Sequence, residues 1–489
     1  MQKSLSDNIF NTFDMKNNPR KLQIDALNFI QQNFDTYRYI AIEAPTGSGK
    51  SAIARALQIE TNAAILTANN ILLEQYISDY PYVNYLKGMK HYSCHEQDDA
   101  EITCEDVKNA CGACCGNCNY KNARIKSLNK QPTIFNPISF YFLPENNYDV
   151  IIVDEAHKLI DMLNLLTTIS FTKSKYNYGT IKSIEDVINF FTKEIEKENR
   201  KVKSNIKIGK VKEMIKAKTR AKRLQDIINV LNVSKNFFHF WTEKCIIRNK
   251  DDEKLHLKPI FTPREFFDKI FGDAKVILLS ATLPKFWCKQ IFNTDNFVYT
   301  QLDNPIPKEN RPLVVDTQFC LTSKSSTEEI VNFIKKHLDN YPNYNTIVHL
   351  TYSKILEVHP YFPDAHVHLD NDSKIEKMDN FKENGGLWLC AGGAEGLDLK
   401  DDLCRLNLIP ILPYANIADP IISLKNKTKE GKYDYLLNTF VTFLQMMGRS
   451  TRGPNDWSVT VLGDTRIMDL LITLKNDIPK DFRDIIKII

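Results

Sequence analysis

Residues 150–153 read Val-Ile-Ile-Val and run straight into Asp154-Glu155-Ala156-His157, while Ala44-Pro45-Thr46-Gly47-Ser48-Gly49-Lys50-Ser51 follows a second apolar run at 39–43. An unbroken β-branched run fits a strand covered on both faces, which is the position of strands in a parallel sheet. Ligands of such sheets bind beyond the carboxyl ends of the strands, where both polar stretches emerge. The chain is thereby constrained to an α/β fold. The first stretch has the form G-x-x-x-x-G-K-[ST], with Ala44 in place of the first glycine. It stands between a strand and a helix starting at Ser51, the context a phosphate loop requires. Gly47 and Gly49 let the backbone N–H groups turn toward phosphates. Lys50 is expected to reach the β/γ-phosphates and Ser51 to ligate Mg²⁺. Asp154 is expected to hold the same Mg²⁺ and Glu155 to polarise the attacking water. The pair implies hydrolysis of a nucleoside triphosphate.

The 489 residues leave room for about three domains. No apolar stretch reaches the ~18 residues of a membrane span, and the N-terminus lacks the apolar core of a secretion signal. An intracellular protein (cytoplasm or nucleus) with no membrane partner is expected. A net charge of +4 is too small to argue for nucleic acid by itself. Local charge says more. Residues 193–223 hold thirteen Lys/Arg against four Glu, which is either a solvated helical face or a contact for a polyanion backbone. Six of the eleven cysteines fall between Cys94 and Cys118. In a reducing compartment such a cluster argues for metal rather than disulfides.

Strand-like runs at 39–43, 63–67, 133–136, 150–153 and 276–279 imply one doubly wound domain, and runs at 346–350, 387–391, 406–412 and 459–462 imply a second. The expected layout is a first domain in three parts, 1–86, 131–158 and 264–299, followed by a second at 300–489. Two insertions split the first. One is the cysteine-rich lobe at 87–130. The other, at 159–263, shows no strand series and has helical periodicity in 184–191 and 224–240.

Further motifs fall into a recognisable order: Arg20-Lys21-Leu22-Gln23, then Leu66-Thr67-Ala68-Asn69-Asn70, then Ser280-Ala281-Thr282. Glu395-Gly396-Leu397-Asp398 and Gln445-Met446-Met447-Gly448-Arg449-Ser450-Thr451-Arg452 complete the series. Taken with both insertions, it resembles the XPD/DinG-like iron–sulfur DNA helicases of superfamily 2. The resemblance implies two RecA-like parallel-sheet domains, the first interrupted by a metal lobe and a helical arch-like insertion. It implies ATP as the nucleotide, with Arg20, Gln23, the loop from Ala44 to Ser51, Asp154, Gly396 and Asp398 lining its site. Arg449 and Arg452 would neutralise charge on the transferring phosphoryl group, with Gln445 at the γ-phosphate or attacking water. Ser280-Ala281-Thr282 would couple the triphosphate to a DNA groove, where Thr67 and nearby backbone grip phosphates.

The resemblance also implies a [4Fe–4S] cluster on Cys94, Cys104, Cys111 and Cys118, with Cys114 or Cys115 able to replace Cys111. Four thiolates suit zinc equally well. The implied activity is 5′→3′ translocation on single-stranded DNA with unwinding of duplex or fork DNA. A translocase without net unwinding, or a nucleic-acid-binding regulator with a degenerate ATP site, are the alternatives.

Overall fold

The structure is a computed structural model describing residues 19–68, 70–93, 104, 118–129, 131–143, 148–233, 238–247, 250–367, 373–391, 399, 401–451, 453 and 455–489. Its strands in chain order begin with β1 (Tyr39–Glu43), β2 (Ala64–Thr67), β3 (Asn84–Leu86), β4 (Thr133–Phe135) and β5 (Val150–Asp154). Then come β6 (Ile169–Thr172), β7 (Phe238–Ile247), β8 (Lys250–Pro259), β9 (Lys275–Ser280) and β10 (Val298–Gln301). The last are β11 (Leu313–Val315), β12 (Thr346–Leu350), β13 (His366–Val367), β14 (Leu387–Ala391), β15 (Leu406–Ile409), β16 (Val459–Leu462) and β17 (Ile486–Ile488).

Among the described residues, two all-parallel RecA-like sheets form, in the orders β10-β1-β9-β5-β2-β4-β3 and β13-β14-β12-β15-β16-β11-β17. The apolar runs read from the sequence are their central strands, and β1, β2, β5 and β9 are buried along their whole length. The edge strands β3, β10, β13 and β17, and the three-residue inner strand β11, carried no run of that length and were not expected. The first sheet is covered by α1 (Lys21–Phe34) and α2 (Lys50–Thr61), whose Ala26, Leu27, Ile30, Ile53 and Leu57 pack on Ile40, Ile42 and Ile65. A third helix, α3 (Asn70–Asp79), adds Leu73 and Tyr76 to the same core. In the second sheet, Ser326 and Glu329 form a reciprocal capping box that starts the helix Thr327–Asn340, which buries Ile330, Phe333 and Ile334.

A separate compact unit comprises Ile160–Ile270 and Ile417–Lys427. The expectation of a strand-free insertion is corrected here. Beside the helices Ile184–Lys207 and Val211–Val233, it contains an antiparallel sheet in the order β6-β8-β7. The helical period holds from Leu224 through Ile228 to Leu231, but Phe240 lies on β7 opposite Leu257. Along β8 the sequence alternates, so Leu255 and Leu257 enter the core with Phe171 and Phe240 while His256 lies between them. The segment 417–427 joins this unit from far along the chain, and nothing in its composition announced it.

Candidate active site

Strand β1 ends at the phosphate loop, and the loop owes its shape to two glycines. Gly47 and Gly49 stand at φ 80° and 81°, in the left-handed region where a side chain is strained. From outside, α1 holds the loop. Arg20 Nη1 donates to Gly47 O at 2.9 Å, and Gln23 Nε2 donates to Gly49 O at 3.4 Å. Gln23 packs so close that a Cβ on Gly49 would meet its Nε2 at 2.2 Å. The structure thus places Arg20 and Gln23 as supports of the loop backbone. Gly49 is the N-cap of α2, so the first N–H groups of that helix face the loop, an arrangement that favours an anion. Ser48 Oγ is buried and has no hydrogen-bond partner among the described residues, as a group that waits on a ligand oxygen would be.

Lys50 is buried, with Nζ 3.4 Å from Ala44 O and 3.7 Å from Glu155 Oε1. Strand β5 lies two strands from β1, separated from it by β9, and delivers Asp154 and Glu155 at its carboxyl end. Asp154 Oδ2 accepts hydrogen bonds from Ser51 Oγ at 3.2 Å and Tyr76 OH at 2.8 Å. Burial first, and then the neighbouring Glu155 charge, push the pKa of Asp154 up to about 6. Burial acts to raise Glu155 too, but the Lys50 ammonium and the hydrogen bonds of His157 and Ser280 outweigh it. They hold its carboxyl below the usual carboxylate range. Two adjacent carboxylates are thereby set apart, one readily protonated and one firmly ionised. Ser51 Oγ and Asp154 Oδ2 form an oxygen pair of the kind Mg²⁺ takes from a protein, so these residues fit that ion.

His157 joins the two sheets. Its Nδ1 lies 2.7 Å from Ser280 Oγ and 3.3 Å from Glu155 Oε2, while its Nε2 lies 2.8 Å from Gln445 Nε2. Because an amide NH₂ can only donate, Nε2 accepts and Nδ1–H donates its hydrogen bond to Ser280 Oγ or Glu155 Oε2. Gln445 sits near the end of the helix Lys429–Met447 in the second half. At that end Gly448 comes so near the loop that a Cβ on it would stand 3.7 Å from Thr46 Oγ1. Between the halves lies a cavity of about 170 Å³, with Pro45, Thr46, Gln301, Arg311, Gln445 and Gly448 in its wall. On its floor Glu43 accepts from Leu283 N, Tyr299 OH and Gln301 Nε2 at 3.1, 2.9 and 2.8 Å.

Sequence reasoning gave no role to His157, although it closes the Asp154–His157 motif, nor to Tyr76, and it did not single out Glu43 or Gln301. It also left out His349 of β12, whose imidazole is kept neutral by burial and by the charge of Arg449. Thr67 is a correction. It is fully buried and its hydroxyl donates to Phe135 O at 3.3 Å, so its side chain does not face a phosphate. Ser280 reaches Glu155 and His157, whereas Thr282 Oγ1 is buried without a partner among the described residues. Arg452, Gly396 and Asp398 lie outside the described residues. So do Cys94, Cys111, Cys114 and Cys115. Cys104 and Cys118 are described, with Sγ atoms 3.9 Å apart and no disulfide between them. Among the described residues no group of three His, Cys, Asp or Glu side chains gathers around a metal position.

Comparison with known proteins agrees with this geometry. The family described as helicase C-terminal domain matches residues 317–484, and the one described as type III restriction enzyme, res subunit, matches residues 16–209. A solved XPD helicase is 15% identical at a TM-score of 0.59, covering 93% of this chain and 98% of that one. The Xpd4 protein of S. tokodaii is 14% identical at a TM-score of 0.54, covering 96% of this chain and 100% of that one. In these matches the chain is similar to superfamily 2 helicases, and in fold to XPD. At such identities the solved structures establish the fold alone. A probable ATP-dependent helicase of Methanocaldococcus jannaschii is 21% identical over 282 residues, 50% of this chain and 41% of that protein. The match therefore spans about two-fifths of that relative's length. Among the described residues no helix is long and apolar enough to cross a membrane.

Proposed function

We propose that this protein is an ATP-dependent DNA helicase that moves 5′→3′ along single-stranded DNA and opens duplex or forked DNA. The observation that carries the reading is the path of ion-pair and hydrogen-bond contacts from Lys50 and Glu155 on the first sheet, through His157, to Gln445 on the second. A site closed by two halves can open and shut once per nucleotide consumed, which is what stepwise motion along a strand requires.

The loop amides and Lys50 bind and orient the triphosphate. Bound Mg²⁺ supplies charge neutralisation at the phosphate oxygens, held by Ser51 and Asp154. Glu155 stays ionised and accepts the proton of the attacking water, while His157 fixes its carboxylate. Gln445 reaches His157 from the second half, and Arg449 and Arg452 are assigned to neutralising charge on the transferring phosphoryl group. Gly396 and Asp398 complete the nucleotide contacts.

The family's [4Fe–4S] cluster is assigned to Cys94, Cys104, Cys118 and one of Cys111, Cys114 and Cys115. The Cys104 and Cys118 sulfurs stand 3.9 Å apart, closer than two thiolates held by different irons of such a cluster. A single tetrahedral zinc with Zn–S near ~2.3 Å would hold two sulfurs about 3.8 Å apart, so their spacing favours zinc as a second reading.

Lys50→Ala and Glu155→Gln are expected to lose more than 100-fold in DNA-stimulated ATP turnover, with Glu155→Gln still binding nucleotide. Strand displacement should follow a 5′-tailed but not a 3′-tailed duplex and vanish in both variants. Near-parental turnover in either variant would refute the site assignment. Displacement only from 3′ tails would refute the polarity.

A further inference from the structure

Tyr76 closes the stretch Leu73-Glu74-Gln75-Tyr76, which follows Asn70 in the ordered motif series but carries no assigned role, yet it makes the shortest side-chain hydrogen bond to Asp154. Three donors fix that carboxylate: Tyr76 OH at 2.8 Å and Ser51 Oγ at 3.2 Å on Oδ2, and the Glu155 amide at 3.0 Å on Oδ1. Both Tyr76 and Asp154 are buried. A tyrosine kept only for packing could be phenylalanine. Here a phenol hydroxyl is placed in the core and satisfied by a carboxylate, which is costly to bury unless it is used.

The element carrying Tyr76 gives that bond its meaning. Helix α3 begins at Asn70, just past the carboxyl end of β2, where Thr67 is paired with Asp154 across the sheet. Asn70 Nδ2 lies 3.2 Å from His91 Nε2, in the segment that leads into the cysteine-rich lobe. One end of the helix thus touches the approach to the lobe, and its second turn holds Asp154. Tyr80, one turn further, packs 6.2 Å from Tyr76 and under Arg55 of α2. A short helix moves as a rod, so a shift at Asn70 moves the Tyr76 hydroxyl as well.

We infer that Tyr76 is a positioning residue, orienting the metal-holding face of Asp154 according to where α3 sits. Strand engagement at the β2–α3 turn and at the lobe is thereby relayed to ATP hydrolysis. The inference rests on the reading of Asp154 as a Mg²⁺ ligand given above.

The test compares parent, Tyr76→Phe and Tyr80→Phe in full-length protein. In Tyr76→Phe, the Mg²⁺ concentration for half-maximal turnover should rise about tenfold, the low end for a group that orients a metal ligand. Stimulation by single-stranded DNA should fall several-fold, while the KM for ATP at saturating Mg²⁺ stays within about twofold. Tyr80→Phe, which alters the same helix face without touching Asp154, should match the parent in all three. Unchanged Mg²⁺ dependence and stimulation in Tyr76→Phe would overturn the inference. So would loss of the folded circular dichroism spectrum, because the hydroxyl would then be structural. A parent without Mg²⁺-dependent ATP turnover would instead overturn the underlying helicase reading.

Discussion

Replacing His349 by Gln should remove an acid-sensitive weakness from the second sheet. His349 lies mid-strand in β12, buried, with neither ring nitrogen at good hydrogen-bond geometry among the described residues, although the nearby Asn407 side chain acts to raise its pKa. Burial, and then the Arg449 charge, push its pKa down from 6.5 to about 3. The unfolded chain therefore takes up a proton below 6.5 that the folded protein refuses until about 3. Stability is fully present above the unfolded value and is lost as pH falls from there toward the folded value. Each pH unit inside that window costs about 1.4 kcal/mol. At pH 5, roughly 1.5 units below the unfolded value, the loss is about 2 kcal/mol. Urea denaturation at pH 7.5 and pH 5.0 measures it. The parent should lose about 2 kcal/mol more between the two conditions than His349→Gln does, whatever other groups titrate in common. Equal losses would refute the reasoning, since a histidine already paired or hydrated in the folded state carries no such penalty.

Two further outcomes are expected. Gly49→Ala should cost about 1–2 kcal/mol, because φ of 81° strains any side chain and the new Cβ displaces Gln23. Thermal denaturation should show a lower midpoint and calorimetry an ATP affinity reduced at least tenfold; an unchanged midpoint and affinity would contradict the loop geometry. Cys104→Ser or Cys118→Ser, in protein prepared without oxygen, should lose iron and the visible absorption band and make residues 87–130 sensitive to protease. One zinc and no iron in the parent would remove the iron–sulfur assignment and leave the helicase fold untouched.

Much of the fold was legible in the sequence because burial on both faces of a parallel strand leaves a continuous apolar run. The runs at 39–43, 150–153, 276–279 and 346–350 could be read singly, with no knowledge of their partners. The phosphate loop was legible for a related reason. Its chemistry is local: two glycines, a lysine and a serine at fixed spacing, whose geometry the backbone alone sets. Asp154 and Glu155 could be placed at a strand end in the same way.

What tertiary structure decided are the contacts between residues far apart in the chain. Thr67 looked exposed at the end of its strand, but the neighbouring β4 offers Phe135 O and draws the hydroxyl inward. The hairpin of β7 and β8 escaped notice because a half-buried strand that follows a helix continues its apolar count until a partner strand fixes the register. His157 closes a motif, but it, Tyr76 and His349 carry no local sign of their partners. Their roles come from what lies opposite, Gln445, Asp154 and Arg449, at chain separations that no local pattern encodes. The sequence by itself determined the sheets and the phosphate loop, because these depend on periodicity and backbone conformation. Only the fold decided which carboxylate is the easier to protonate, which histidine stays neutral and which hydroxyl reaches the metal-holding aspartate, because each depends on burial and charge from across the molecule.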